Sequence, residues 1–194
     1  MGLEVELKAH VLDHSLLKKR IEALSGISSG LCEHKSDTYF SRIGEDALFR
    51  MRLVQSGPCF ESMQGTLVFT FKNKTLKEGI EVNEELEFNS TSDQAPSALQ
   101  FFLNLGYEIY ITKTKRGYLY TYPVISGLPV LTIELVEVAS LGWFIEMEFV
   151  LEDISMVEQA KVRLLQILDL LGISRSAIED EYYMHLLTKK KPEA

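Results

Sequence analysis

Apolar and polar residues alternate along much of the chain. Over residues 3–12, Leu3, Val5, Leu7 and Ala9 fall on one side of an extended backbone, and Glu4, Glu6, Lys8 and His10 on the other. That period of two marks a half-buried strand. Further β-rich stretches follow at 35–42, 47–54, 66–74, 80–88, 107–114, 118–125, 130–138 and 143–151. Turn-forming residues separate them at Ser56-Gly57-Pro58, Lys77-Glu78-Gly79, Ser126-Gly127 and Leu141-Gly142. Short strands in such succession predict one large antiparallel sheet or a closed barrel.

Other stretches carry a helical period. Leu16, Leu17, Ile21 and Leu24 follow Asp13, placed as an N-cap, and stop at Gly26. Leu99, Phe102 and Leu103 precede Gly106. Residues 154–171 set Leu164, Leu165, Leu168 and Leu171 on one broad stripe, which must cover a sheet face. There Ser155 and Glu158 have capping-box spacing and Gly172 marks the end. A shorter helix is expected over 176–187. With no linker, repeat or low-complexity stretch, the chain reads as a single domain over 1–188. Lys189-Lys190-Lys191-Pro192 opens a flexible basic tail over 189–194.

Composition narrows the classes. A length of 194 residues suits one domain, and 46% hydrophobic with 25% charged residues excludes disorder and collagen-like structure. The 20 Lys and Arg against 28 Asp and Glu leave a formal charge of −8, which disfavours nucleic acid and anionic membranes as partners. Cys32 and Cys59 do not make a disulfide framework or a CxxC pair, so two thiols in a reducing compartment are expected. Acidic Glu4 and Glu6 do not suit a secretory leader. No apolar run approaches the ~20 residues that span a bilayer. The expectation is a cytoplasmic, soluble protein.

Charge of one sign recurs at every second strand position: Glu4 and Glu6 ahead of Lys8, Arg50 and Arg52, Lys72 and Lys74, Glu85 and Glu87, Glu146 and Glu148. Each pair projects from one face. Paired carboxylates repel unless a cation neutralises them. Gathered on a concave face, they would offer oxygen ligands to Mg²⁺ or Mn²⁺. Arg50, Arg52, Lys72 and the Lys113-x-Lys115-Arg116 segment would then meet a polyanion. Together these are what metal-assisted phosphoryl or nucleotidyl transfer needs. The same alternation also fits a bland sheet with water on its charged side, because periodicity does not distinguish inward from outward. His10 reads as a solvated edge residue, and His14, His34 and His185 lack metal-ligand spacing. Trp143 and the tyrosines read as core or sheet surface. The absence of GxxxxGK[ST] and GxGxxG argues against P-loop and Rossmann sites, and no GxSxG motif occurs.

Glu4-Val5-Glu6-Leu7-Lys8 resembles the E-x-E-x-K signature of the CYTH superfamily, the triphosphate tunnel metalloenzymes. That group holds class IV adenylate cyclases, thiamine triphosphatases and inorganic triphosphatases. Asp37-Thr38-Tyr39-Phe40 followed by Ala47-Leu48-Phe49-Arg50-Met51-Arg52 is similar to its D-x-Y-F and A-L-R-x-R segment, with Phe49 where Arg is common. Thr70-Phe71-Lys72 resembles T-x-K, and Asn83-x-Glu85-x-Glu87 resembles R-x-E-x-E with Asn83 for the arginine. Leu141-Gly142-Trp143-Phe144-Ile145-Glu146-Met147-Glu148 is close to L-G-x-F-x-E-x-E. Tyr183-Met184-His185-Leu186-Leu187 resembles the closing S-Y-x-x-L-L, with Tyr182 in the serine's place. The segments run in family order over nearly the whole chain.

The resemblance implies an α+β fold, an eight-stranded antiparallel β-barrel forming a tunnel with helices packed outside. The apolar alternates would face the helices and the charged ones the tunnel. It implies Glu4, Glu6, Glu146 and Glu148 as ligands to Mg²⁺ or Mn²⁺, with Glu85 and Glu87 beside them. Lys8, Arg50, Arg52, Lys72 and Lys113 would grip a triphosphate, and Glu6 and Lys8 would be the catalytic residues. Lys115 joins the grip by alternation, unless a bulge brings in Arg116. The leading expectation is a class IV adenylate cyclase-like lyase, in which the ribose 3′-OH of ATP attacks the α-phosphorus and pyrophosphate leaves. Hydrolysis of inorganic triphosphate, thiamine triphosphate or a nucleoside triphosphate is the alternative. The third reading is a polyphosphate- or nucleotide-binding domain without turnover. The expected partner is a small triphosphate, with no nucleic acid, no membrane and a homodimer left open.

Overall fold

The computed structural model describes residues 3–77, 79–123 and 127–190, with side chains at all of these except 73–77. The side chain of Lys74, residues 124–125 of the expected strand at 118–125, and 191–194 of the expected tail lie outside the described residues.

Eight strands close into a barrel: β1 (Leu3–His10), β2 (Leu31–Ser41), β3 (Phe49–Gly57), β4 (Gln64–Lys77), β5 (Ile80–Thr91), β6 (Glu108–Tyr122), β7 (Leu131–Val138) and β8 (Gly142–Leu151). Their order around the wall is β1-β5-β4-β3-β2-β6-β7-β8, and all neighbours are antiparallel. Four helices, α1 (His14–Glu22), α2 (Ala95–Asn104), α3 (Val157–Leu170) and α4 (Tyr183–Lys190), complete the α+β architecture. None is long and apolar enough to cross a membrane.

The alternation seen in β1 decides which way the barrel faces. Val5, Leu7 and Ala9 are buried outside the wall, against Leu164, Ile167 and Leu168 of α3 and Leu17 and Ile21 of α1. The hydrophobic core therefore lies between barrel and helices, and the alternate charged positions turn inward. A second apolar cluster sits under α2, where Phe40, Met51, Leu67 and Phe69 meet Leu99 and Phe102.

Local signals are kept in part. Asp13 caps α1 by accepting the Leu16 N–H at 2.9 Å. Gly172, just past α3, has φ +70, a left-handed backbone that glycine adopts without strain. Three expectations change. The stretches 107–114 and 118–125 merge into the single strand β6. Gly117 in its middle lets β7 pass so close that an added Cβ would lie 2.0 Å from the Leu135 carbonyl oxygen. The Ser155–Glu158 capping box does not form. A 3₁₀ turn, Ile154–Met156, precedes α3, Asp153 caps it through the Ser155 N–H at 2.8 Å, and Glu158 pairs with Lys161 at 2.7 Å. The helix expected over 176–187 is broken, because after a 3₁₀ turn at Arg175–Ala177 the chain extends along β1. Ile178 bridges to Ala9 and the Glu179 N–H donates to the Lys8 carbonyl at 3.0 Å, so α4 starts only at Tyr183. These backbone bonds to a distant strand outweigh a weak local helical pattern.

Candidate active site

A cavity of about 350 Å³ occupies the barrel interior. Barrel closure pairs β1 with β8 and sets Glu6 opposite Glu148. Glu4, two residues before Glu6, projects from the same face. Among the described residues, one carboxylate oxygen from each of Glu4, Glu6 and Glu148 lies within 4.8 Å of the others. Burial pushes Glu4 up to about 7; Lys72 opposes the rise and Glu85 adds to it. Burial, with Glu4 and Glu6 next, holds Glu148 well above the usual carboxylate range. Three hard oxygen donors with excess negative charge in one place fit a divalent cation such as Mg²⁺ or Mn²⁺.

Lys72 of β4 steadies this cluster. Its Nζ lies 2.9 Å from Glu4, 2.6 Å from Glu85 and 3.9 Å from Glu6. Burial would lower its pKa, but Glu6, Glu4 and Glu85 raise it well beyond the lysine range. Of the other expected ligands, Glu85 stays at the cluster, sharing Lys72 with Glu4 and lying against it, whereas Glu87 and Glu146 have partners elsewhere. Glu87 accepts from the Thr70 hydroxyl at 2.6 Å and lies 3.6 Å from Arg50. Glu146 accepts from the Tyr183 hydroxyl at 2.7 Å and pairs tightly with Lys115.

The cations form the facing wall. Asp37 on β2 is opposite Arg52 on β3 and Lys113 on β6. The Arg52 guanidinium donates to both Asp37 oxygens at 2.6 and 2.9 Å, and Lys113 Nζ is at 3.1 Å. Burial would raise Asp37, yet Arg52 and Lys113 hold it well below the carboxylate range. Lys115 points inward and lies 3.6 Å from Glu134, whereas Arg116 points away and stacks on Phe60 at 4.1 Å. The register shift between β2 and β6 falls at Tyr39/Phe40, so the 113–116 alternation is undisturbed. Arg50 donates to Thr70 at 2.8 Å, and its buried Nε has no hydrogen-bond partner among the described residues. An orphan donor on a guanidinium in a polar cavity suits an anion. Lys8 is set apart. It does not line the cavity but pairs with Glu81 at 2.8 Å beneath the rings of Tyr182 and Tyr183.

Where the resembled pattern has arginines, Asn83 is buried and donates to Glu81 at 3.3 Å, and Phe49 turns outward onto Phe40 and Phe102. Neither adds positive charge.

Several residues of the site went unnoticed in the sequence. Glu134 on β7 takes Lys35 at 2.6 Å, and Lys35 also holds Glu33 at 2.8 Å. Burial would raise Glu134, but Lys35 and Lys115 keep it below the usual range. Tyr183 of α4 caps the assembly, its ring 5.0 Å from Lys113 and 5.5 Å from Lys115. A signal for some existed: Glu33, Lys35, Asp37 and Tyr39 share the period of two, but with mixed sign, and a search for same-sign pairs passes over them.

A model of the CYTH domain matches residues 2–183. Among solved structures, the PH1819 protein from Pyrococcus horikoshii is 24% identical and superposes with a TM-score of 0.77, over 97% of this chain and 99% of that one. A candidate adenylate cyclase from Vibrio parahaemolyticus is 18% identical, with a TM-score of 0.71 over 96% and 98% of the two chains. HpAC1 from Hippeastrum, a candidate adenylyl cyclase with a dominant triphosphatase activity, is 14% identical, with a TM-score of 0.64 over 100% and 98%. At these identities the likeness is one of fold. No curated protein matches the sequence.

Proposed function

Because the chain belongs to the CYTH domain family, we propose that it is a divalent-metal-dependent enzyme that cleaves a small triphosphate held inside the barrel. One observation carries the reading: the Glu4, Glu6 and Glu148 carboxylates share a single cavity with Arg50, Arg52, Lys72, Lys113 and Lys115. Glu4, Glu6 and Glu148 would hold Mg²⁺ or Mn²⁺. When bound, the metal supplies Lewis acidity to phosphoryl oxygens and lowers the pKa of an attacking hydroxyl. Lys72 keeps Glu4 and Glu85 in place beside it. Arg50 offers the uncommitted donor for a phosphate oxygen, and Lys113, Lys115 and Arg52 balance charge that builds on the leaving group. Lys8 acts from behind Tyr182 and Tyr183, fixing Glu81 and adding positive field.

The first reading is cyclisation of ATP to cyclic AMP and pyrophosphate, in line with the likeness to the Vibrio parahaemolyticus protein. Hydrolysis is the second, favoured by the likeness to HpAC1 with its dominant triphosphatase activity. Purified protein with Mg²⁺ or Mn²⁺ and, in turn, ATP, inorganic triphosphate and thiamine triphosphate separates them by product. Cyclic AMP with pyrophosphate supports cyclisation, and orthophosphate supports hydrolysis. Metal-dependent binding without turnover overturns the enzymatic reading. Glu6→Gln is expected to abolish turnover in a folded protein, and wild-type activity in that variant would remove Glu6 from the metal site.

A further inference from the structure

A second cavity, of about 370 Å³, lies on the outside of the barrel beside the first. The two share Leu48, Phe49 and Thr70 as walls. The strand register explains why they meet. Pairing of β3 with β4 ends at Arg50 and Thr70, while β4 continues to Lys77 paired only with β5. The wall is therefore notched where β3 begins, and the outer cleft opens beside that notch.

The two cavities differ in chemistry. Charged groups crowd the tunnel, whereas among the described residues no charged one lines the cleft. Its floor is aromatic: Phe69 and Phe88 stack at 4.7 Å, and Phe102 meets Phe49 edge-on at 4.7 Å. Leu86 and Phe88 are each 62% exposed and Leu105 60%, since α2 covers only the neighbouring cluster. Large apolar side chains left in water around a concave site mark a binding surface. Among its described side chains only Thr70 and Tyr107 carry hydroxyls, and that of Thr70 is already engaged by Arg50 and Glu87.

We propose that this cleft is the subsite for the organic group of the tunnel's ligand, an aromatic group esterified to triphosphate and held by stacking and apolar contact. The inference rests on the triphosphate reading and narrows it from any triphosphate to an organic one. The triphosphate lies among the tunnel cations, its ester passes the notch at Leu48 and Phe49, and its aromatic group covers Leu86 and Phe88. Binding energy from this remote group would position the reacting phosphorus.

The test is equilibrium binding, with Mg²⁺, of two uncleavable methylene-bridged analogues, one of ATP and one of inorganic triphosphate. Wild type is expected to bind the ATP analogue roughly tenfold more tightly, the gain of one good aromatic contact. Phe88→Ser and Leu86→Ser, both outside the tunnel, should erase most of that difference and leave the inorganic analogue unchanged. Leu86→Ser keeps the test valid if loss of Phe88 disturbs its stack on Phe69. ATP-analogue affinity indifferent to both substitutions overturns the cleft proposal alone. No binding of the inorganic analogue overturns the tunnel reading and the cleft with it. A wild-type dimer dissociated by these substitutions, with ATP-analogue affinity unchanged, would make the cleft an interface between two copies and overturn the ligand assignment.

Discussion

Asp37 organises the cationic wall from a fully buried position, and its neighbours differ sharply in what they risk. Arg52 supplies both of its short hydrogen bonds, so Arg52→Ala leaves a buried carboxylate with Lys113 and only a long hydrogen bond, 3.4 Å, from the Tyr39 hydroxyl. Loss of one partner of a buried pair costs about 3 kcal/mol. Urea unfolding should show that loss in addition to weaker triphosphate binding. Arg50 pairs at 3.6 Å with a Glu87 side chain that is 43% exposed, an arrangement worth less than about 1 kcal/mol. Arg50→Ala should therefore reduce triphosphate affinity at nearly wild-type stability, and equal stability losses in the two variants would refute the distinction. Asp37 also sets an acid limit. Its folded pKa is depressed, so its contribution is full above the unfolded value of about 3.9 and is lost as pH falls through the lower folded value. Asp37→Asn should be less stable than wild type at pH 7. Its unfolding free energy should fall less steeply with acid below about pH 4.

At the scale of elements, Gly117 is where β6 and β7 depend on the absence of a side chain. A Cβ would meet the Leu135 carbonyl oxygen at 2.0 Å, backbone against backbone, with no flexible atom to yield. Gly117→Ala should cost about 3 kcal/mol, the upper range of overpacking. Gly106→Ala, at φ +87 with open space around it, should cost about 1 kcal/mol from conformation alone. Denaturation midpoints of the two variants separate these causes, and equal losses would sink the close-approach argument. The same glycine shows what could be read from the sequence. Period two marked the strands on both sides of residue 117 but carried no information on whether the chain turned there. Likewise the apolar pattern after Gly172 did not reveal that Ile178 and Glu179 would bond to β1, a partner some 170 residues away. The inward carboxylates were legible one strand at a time. That Glu4, Glu6 and Glu148 converge while Glu146 turns to Lys115 and Tyr183 depends on the β1–β8 register, which no local window contains. Phe71, Leu86 and Phe88 look like ordinary core alternates. Only the limited reach of α2 leaves them in water.

For the whole molecule, the barrel inverts the common arrangement: apolar side chains cover its outer wall and charge fills its interior. The net charge of −8 therefore says little about the ligand, because acids and bases meet inside the wall and a small polyanion finds local positive charge despite the sum. Closure of the barrel forces the Glu6–Glu148 pairing, and with Glu4 it gathers three carboxylates that repel each other. The metal-free fold is thus strained at the place proposed to hold the metal. Glu148→Gln removes the acid whose ionisation burial and its neighbours Glu4 and Glu6 oppose, and should stabilise the metal-free protein by about 1 kcal/mol at neutral pH, raising Tm by about 2–4 °C for a chain of this size. A divalent cation at 100 times its Kd should stabilise wild type by about 2.7 kcal/mol. That rise should be lost in Glu148→Gln, since two of the three oxygen donors remain and the balancing charge does not. Thermal unfolding of both proteins with and without Mn²⁺ measures all four states. If Mn²⁺ leaves the wild-type Tm unchanged, the carboxylate cluster is not a metal site; if Glu148→Gln lowers the metal-free Tm, the repulsion between its acids is already balanced within the barrel.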